Sequence, residues 1–133
     1  MVNAKPDSCQ ILVVDDNPDA AFTLVMLLKL KGYDACSYPN GREGIEATER
    51  LRPDVVLLDL AMPEIDGYET CRTIRMQPSE KEIVVIALSG YNQPEDIRLS
   101  WESGFDAHLV KPVDLDILTQ RITPHLALKR VNG

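Results

Sequence analysis

Four kinds of side chain in this sequence could share one piece of chemistry: the adjacent acids Asp15 and Asp16, the single acid Asp59, the hydroxyl of Ser89 and the amine of Lys111. Each closes a run of mostly apolar residues. Taken singly, each has an ordinary explanation. Asp15-Asp16 before Asn17-Pro18 suits entry into a helix, Asp59 suits a turn, Ser89 a loop, and Lys111 a solvated strand end. Taken together they suit a different purpose. Two carboxylates about 4 Å apart repel by about 4 kcal/mol at an effective dielectric of about 20, so three in one place need a cation. A few hard oxygen donors suit Mg²⁺, with Mn²⁺ as a substitute, because such an ion keeps waters and takes phosphate oxygens. Lys111 then reads as a second positive group, able to neutralise a phosphoryl oxygen or Asp59 itself, and Ser89 as a donor to the same anion. The set describes a phosphoryl-transfer site.

That reading requires elements that bring the five residues together. Ile11–Val14, Val55–Leu58 and Ile83–Ile86 are unbroken apolar runs, as in strands covered on both faces. Tyr33–Tyr38 and Ala107–Val110 are weaker strand candidates nearer the edges. Helical patterns lie between. Asn17-Pro18 can cap and start the first, with Ala21, Leu24, Val25 and Leu28 at helical spacing and Gly32 closing it. Asn40 with Glu43, and Asp66 with Glu69, have capping-box spacing. A fourth helix is expected from about Asn92-Gln93-Pro94 to before Gly104, with Trp101, the only tryptophan, late in it as a packing residue or, as the alternative, a partner anchor. A fifth follows Asp114, with Leu115, Leu118 and Ile122 on one face, and Pro124 should stop or kink it. Five β–α units predict an α/β fold, an open, doubly wound parallel sheet with helices on both faces. Ligands of such sheets bind beyond the carboxyl ends of the strands, where all five candidate residues fall.

The bulk properties agree. A chain of 133 residues suits one domain, and a charge of −7 argues against general affinity for nucleic acid or anionic lipid. Cys9, Cys36 and Cys71 show no CxxC spacing and read as reduced thiols of a cytoplasmic protein. The most apolar window, AAFTLVMLLKL, is too short to cross a bilayer, and no leader pattern opens the chain.

The segments VVDDNP (13–18), LLDLAMPEIDG (57–67), ALSG (87–90) and VKP (110–112), in that order on five β–α units, resemble the receiver domain of response regulators, the phosphoacceptor module of two-component signalling. The resemblance covers residues 10–126, leaving 1–9 as a flexible tail and 127–133 as a C-terminal tail with no output domain. It implies a flavodoxin-like (βα)5 three-layer sandwich with strand order 2-1-3-4-5. It also implies that Asp59 takes a phosphoryl group from a phosphohistidine on a sensor histidine kinase or histidine phosphotransfer protein. Asp16 would bind Mg²⁺ directly, Asp15 through water and Ala61 through its backbone carbonyl. Ser89 would turn towards the phosphoryl group, Lys111 would contact it, and the bond before Pro112 would be cis. Water attack on the same phosphorus implies slow self-dephosphorylation, with Ala61 and Tyr91 flanking the water's route. His108 stands where the family often has Tyr or Phe. It is either a half-exposed strand residue or a group that turns inward when Ser89 moves, changing the face formed by the fourth helix, fifth strand and fifth helix. In the second case its imidazole would make the switch pH-dependent. The stretch 87–116 looks like receivers attached to hybrid sensor kinases, with a downstream output protein as a further partner and no direct nucleic-acid or membrane contact.

Three rivals differ in what they need. An aspartyl phosphatase of the haloacid-dehalogenase type wants an acid two residues after its nucleophile, and that place is Ala61. A flavodoxin-like cofactor binder wants a Ser/Thr/Gly-rich phosphate loop after the first strand, and DDNPDAA is acidic there. A receiver-like module that has lost phosphorylation would have no need of the intact acids, hydroxyl and lysine.

Overall fold

The computed structural model describes the backbone of residues 8–79, 82–90 and 94–132, and the side chains of these except 94, 95 and 127–132. Strands and helices alternate through the chain: β1 (Ile11–Val14), α1 (Pro18–Leu30), β2 (Ala35–Tyr38), α2 (Gly41–Leu51), β3 (Val55–Asp59), α3 (Gly67–Met76), β4 (Val84–Ser89), α4 (Pro94–Ser103), β5 (Ala107–Val110) and α5 (Leu115–Asn132). All strand pairs are parallel, in the order β2-β1-β3-β4-β5. Alternation along the strands divides the core in two. Leu12, Val14, Val56, Leu58, Val85 and Ala87 pack with Ala47 of α2 and with Cys71 and Ile74 of α3. Ile11, Val13, Leu57, Ile86 and Leu88 pack with Ala21 and Leu28 of α1 and with Leu118, Ile122 and Leu126 of α5. The inner strands are apolar throughout because both of their faces are covered.

The helix starts follow the caps. Asn17 accepts from the Asp19 and Ala20 amides, Asn40 from Glu43, Asp66 from Glu69, and Asp114 from Asp116 and Ile117. Asn40 Nδ2 also donates to the Glu43 carboxylate at 2.9 Å. α1 ends in a Schellman motif: Gly32, at φ 97°, donates to Lys29 O, and Tyr33 donates to Leu28 O. Tyr33 is thus held by the helix end, so β2 starts at Ala35 rather than Tyr33. β4 starts one residue later than expected, because the Ile83 carbonyl accepts from Arg75 Nη1 at 2.6 Å.

Three further expectations change. α5 runs to Asn132 with Pro124 inside it, so the segment 127–132, expected as tail, is helical backbone. Leu118, Ile122 and Leu126, spaced by four and each at most 1% exposed, hold the helix on the sheet on both sides of the proline. Trp101 is not a packing residue: it is 56% exposed, while Ser100 and Ser103 supply the buried positions of α4. Cys9, expected in the N-terminal tail, is buried, and Ser8 Oγ donates to Asp34. Asn92 and Gln93 of the expected α4 start lie outside the described residues. Among the described residues, no helix is long and apolar enough to cross a membrane.

Candidate functional site

β1 and β3 are adjacent, but β1 turns back to pair with β2 on its other side. Their carboxyl ends therefore meet at the place where strand order reverses. Asp59 is the last residue of β3, still in register with Leu88 of β4, and only 5% exposed. Asp15 follows β1, is 4% exposed, and donates its amide to Tyr38 O at 3.2 Å. Asp16 is exposed beside it. One carboxylate oxygen from each of Asp15, Asp16 and Asp59 lies within 4.8 Å of the other two.

Lys111 reaches this cluster from the end of β5. Its Nζ stands 3.2 Å from Asp15 Oδ2 and 3.4 Å from Asp59 Oδ1. The backbone places it there: the Lys111 amide donates to Ser89 O at 2.7 Å, and the bond to Pro112 is cis. Two amides fix the carboxylates further. Asn17 N–H donates to Asp15 Oδ1 at 2.9 Å, and Ala61 N–H donates to Asp59 Oδ1 at 3.2 Å.

The electrostatics are unbalanced. Burial pushes the Asp59 carboxyl above its usual range and the Asp15 charge adds to this, against the Lys111 ammonium and the Ala61 amide. Burial alone would lower the Lys111 ammonium, but Asp59 and Asp15 outweigh it, so the lysine is held firmly charged. Three acids share one amine, a donor set of hard oxygens that is short of positive charge and fits a small divalent cation such as Mg²⁺.

The structure thus brings Asp15, Asp16, Asp59 and Lys111 into one pocket, with Ala61 hydrogen-bonded at its edge. Ser89 is buried at the end of β4, beside Val110 in the sheet register. His108 is one position before Leu109 and faces α4: its Nδ1 lies 2.9 Å from Ser100 Oγ. Ser100 Oγ also donates to Asp96 O, so the imidazole donates from Nδ1 and its buried Nε2 has no hydrogen-bond partner. Tyr91 lies outside the described residues.

One contributor was not singled out by sequence reasoning. A Cβ on Gly67 would lie 2.5 Å from the Asp59 carbonyl oxygen and 2.7 Å from Leu60 Cα. Gly67 N–H donates to Leu60 O at 3.1 Å. The start of α3 therefore rests directly on the backbone that carries Asp59, which only glycine permits. The signal was an Asp-Gly pair at the head of a helix, which the cap alone seemed to explain.

Known proteins share the sequence pattern and the fold. The family model for the response regulator receiver domain matches residues 11–123. The chain is 38% identical over 123 residues to a probable cyclic di-GMP phosphodiesterase of Vibrio cholerae, covering 92% of this chain and 27% of that protein. It is 34% identical to the DNA-binding response regulator MtrA of Mycolicibacterium smegmatis, covering 88% of this chain and 50% of that one. It therefore spans half or less of the length of these two relatives. Among solved structures, the signal receiver domain of a signal transduction histidine kinase from Syntrophus aciditrophicus is 34% identical, with a TM-score of 0.79 over 92% of this chain and 91% of that one. By sequence, topology and the acids at its strand ends, the chain belongs to the response regulator receiver domain family.

Proposed function

We propose that this receiver domain carries signal by accepting a phosphoryl group on Asp59 from a phosphohistidine of a sensor histidine kinase or histidine phosphotransfer protein. The observation that carries the reading is the position of Asp59: a buried carboxylate, fixed by the Ala61 amide, 3.4 Å from the Lys111 ammonium and within reach of two further acids. In the transfer, an Asp59 oxygen attacks phosphorus, the bond from phosphorus to the histidine nitrogen breaks, and an acyl phosphate forms. The transition state spreads charge over the equatorial oxygens, so positioning and neutralisation do most of the work. Lys111 supplies one positive charge there. Asp15, Asp16, Asp59 and the Ala61 carbonyl would hold Mg²⁺, which when bound supplies the second. Ser89 turns to the phosphoryl group, and the α4-β5-α5 face changes with it through His108. Water reaching the same phosphorus past Ala61 and Tyr91 returns the domain slowly to its starting state.

The donor must approach the mouth of this pocket. A groove of about 620 Å³ adjoins it, where Asp15 and Lys111 meet Leu24 and Leu27 of α1 and Pro112 and Val113 after β5. Its apolar walls beside the charged site suit a helical phosphodonor. Such donors form in the cytoplasm, which is the location this reading requires. The relatives' longer chains place their receiver beside a phosphodiesterase or a DNA-binding activity, so the output partner is a separate question from the phosphorylation itself.

The test is incubation with Mg²⁺ and acetyl phosphate, followed by intact mass measurement. Wild type should gain the mass of one acid-labile phosphoryl group. Gain of the same group at position 59 by Asp59→Asn, or no gain by wild type in the presence of Mg²⁺, would refute the assignment.

A further inference from the structure

Alternation along β1 places Ile11 and Val13 on the α1/α5 face and Leu12 and Val14 on the other. Cys9 should therefore share the face of Ile11, yet it packs with Leu12 and Val14. The cause is local. The Asp34 carbonyl accepts both the Gln10 amide at 2.9 Å and the Ile11 amide at 3.0 Å, so two residues of one strand meet one of its neighbour and the chain before Ile11 is rotated. Cys36, opposite Leu12 in the register, points to that same face. The two thiols consequently share one face and one cluster at neighbouring strand ends, and each acts on the other's proton.

We infer that Cys9 and Cys36 are a redox pair, oxidised by hydroperoxides to a disulfide that ties the entry of β1 to β2. The two sulfurs occupy unequal surroundings. Cys36 is partly exposed and its thiol is held below the usual range, first by the neighbouring Cys9 and then, against burial and Asp34, by Arg50 and Lys29. Cys9 is 6% exposed and pushed up, first by the neighbouring Cys36 and then by burial, and its S–H donates to Ile11 O at 3.2 Å. Cys36 is therefore the thiolate that meets the oxidant.

The steps balance. The Cys36 thiolate attacks a peroxide oxygen, the O–O bond breaks, and with one proton the products are Cys36 sulfenic acid and water or an alcohol. The Cys9 sulfur then attacks the Cys36 sulfur, releasing water and leaving the disulfide; the two thiols have given two electrons to the peroxide. The main cause that held Cys9 protonated, its thiolate neighbour, is gone after the first step. Closure asks the neighbouring sulfurs to move to a bond length of about 2.05 Å. Cys71 provides an internal control. It lies under α3, packed near Arg75 and the Gly104 backbone, and burial pushes its thiol up to about 11.

The experiment treats folded wild type and the variants Cys9→Ser, Cys36→Ser and Cys71→Ser with hydrogen peroxide, then measures intact mass and non-reduced peptide maps. Wild type and Cys71→Ser should lose the mass of two hydrogens, reversibly with a thiol reductant, and the map should join the peptides of Cys9 and Cys36. Cys9→Ser should instead keep one oxygen on Cys36, trapped by a 1,3-dicarbonyl reagent. The inference is overturned if wild type keeps all its thiols at a dose that oxidises Cys36 in Cys9→Ser. It is equally overturned if the bond involves Cys71, joins two chains, or forms only in denaturant. The wild-type map stands alone if a serine variant fails to fold.

Discussion

Removing the charge of Asp59 should make the unliganded protein more stable. With Asp15 taken at the 4.8 Å limit of the cluster, its repulsion of Asp59 is about 3.5 kcal/mol at an effective dielectric of about 20. Lys111 at 3.4 Å attracts Asp59 by about 4.9 kcal/mol on the same scale. These two leave about 1.4 kcal/mol in favour of the charge. Against that stand the screened repulsion from exposed Asp16 and the lost hydration of a carboxylate only 5% exposed, and a buried ion forfeits several kcal/mol of hydration. The upward displacement of the Asp59 carboxyl says that the costs win. Asp59→Asn keeps the shape, removes the costs, and should gain about 1–3 kcal/mol, within the usual range for a single substitution. For a domain of this size that is a rise in melting temperature of roughly 3–6 °C per kcal/mol.

The pH dependence follows from the sign. A carboxyl raised above its unfolded value of about 3.9 binds its proton more tightly in the folded state. Its favourable contribution is complete below that value and is lost as pH rises through the folded pKa. The variant's advantage should therefore be small at about pH 4 and grow towards about pH 7.5. Urea unfolding without divalent ions, at both pH values, measures it. Mg²⁺ should then close the gap at neutral pH, since an ion that binds only the folded wild type stabilises it by mass action. A variant less stable than wild type at neutral pH, or an advantage that does not change with pH, would refute the electrostatic account.

Two other substitutions test the scaffold. Gly67→Ala puts a Cβ 2.5 Å from the Asp59 carbonyl oxygen, so it should cost about 1–3 kcal/mol of stability and slow phosphorylation by acetyl phosphate, measured by urea titration and intact mass. Pro124→Ala restores a helical amide in α5; it should raise stability by up to about 3 kcal/mol and leave phosphorylation unchanged, and a loss of stability would mean that the Pro124 ring is part of the packing.

What could be read from the residues was whatever depends on local or periodic signals. β1 and β5 fall where their runs end, because the residues on either side are a charge, a bend or a turn. The starts of α1, α2, α3 and α5 fall where a side chain can accept the orphan amides. The meeting of Asp15, Asp16, Asp59 and Lys111 could be read because all four lie at strand ends, and a parallel sheet aligns strand ends whatever the details of packing. What could not be read was decided by contacts between distant parts of the chain. The start of β4 was moved by Arg75, eight residues earlier, taking the Ile83 carbonyl. Trp101 was expected inside because large aromatic residues usually bury, but two serines fill the inward positions of α4. Pro124 was expected to stop or kink α5; it does not stop it, because its local cost is outweighed by three buried side chains along one ridge. The facing of Cys9 turned on the carbonyl of Asp34, the residue before β2.

The site itself follows the same logic in reverse. A core favours an uncharged strand end, and β3 is uncharged until its last residue. Ionised Asp59 is retained at a cost to the fold, and what offsets that cost is supplied from elsewhere: the amide of Ala61, the ammonium of Lys111 and, in the proposed reading, a bound divalent ion. A phosphoryl group adds negative charge at that same point. The more strongly the apo site repels another negative charge, the larger the part that the two cations must play in determining whether it enters. In the proposed reading, an excess of acid over base in a buried place makes phosphorylation depend on the metal, and it makes each change of charge at position 59 a load on β3, α3 and the β5–α5 turn. The Lys111 amide is bonded to Ser89 O, and the Gly67 amide to Leu60 O. Movement at the pocket has short routes into β4 and α3, and His108, bonded to Ser100, joins β5 to α4. The His108 Nε2 is buried without a partner, so in the proposed reading the link to α4 is the one that a charge change at the pocket would disturb first.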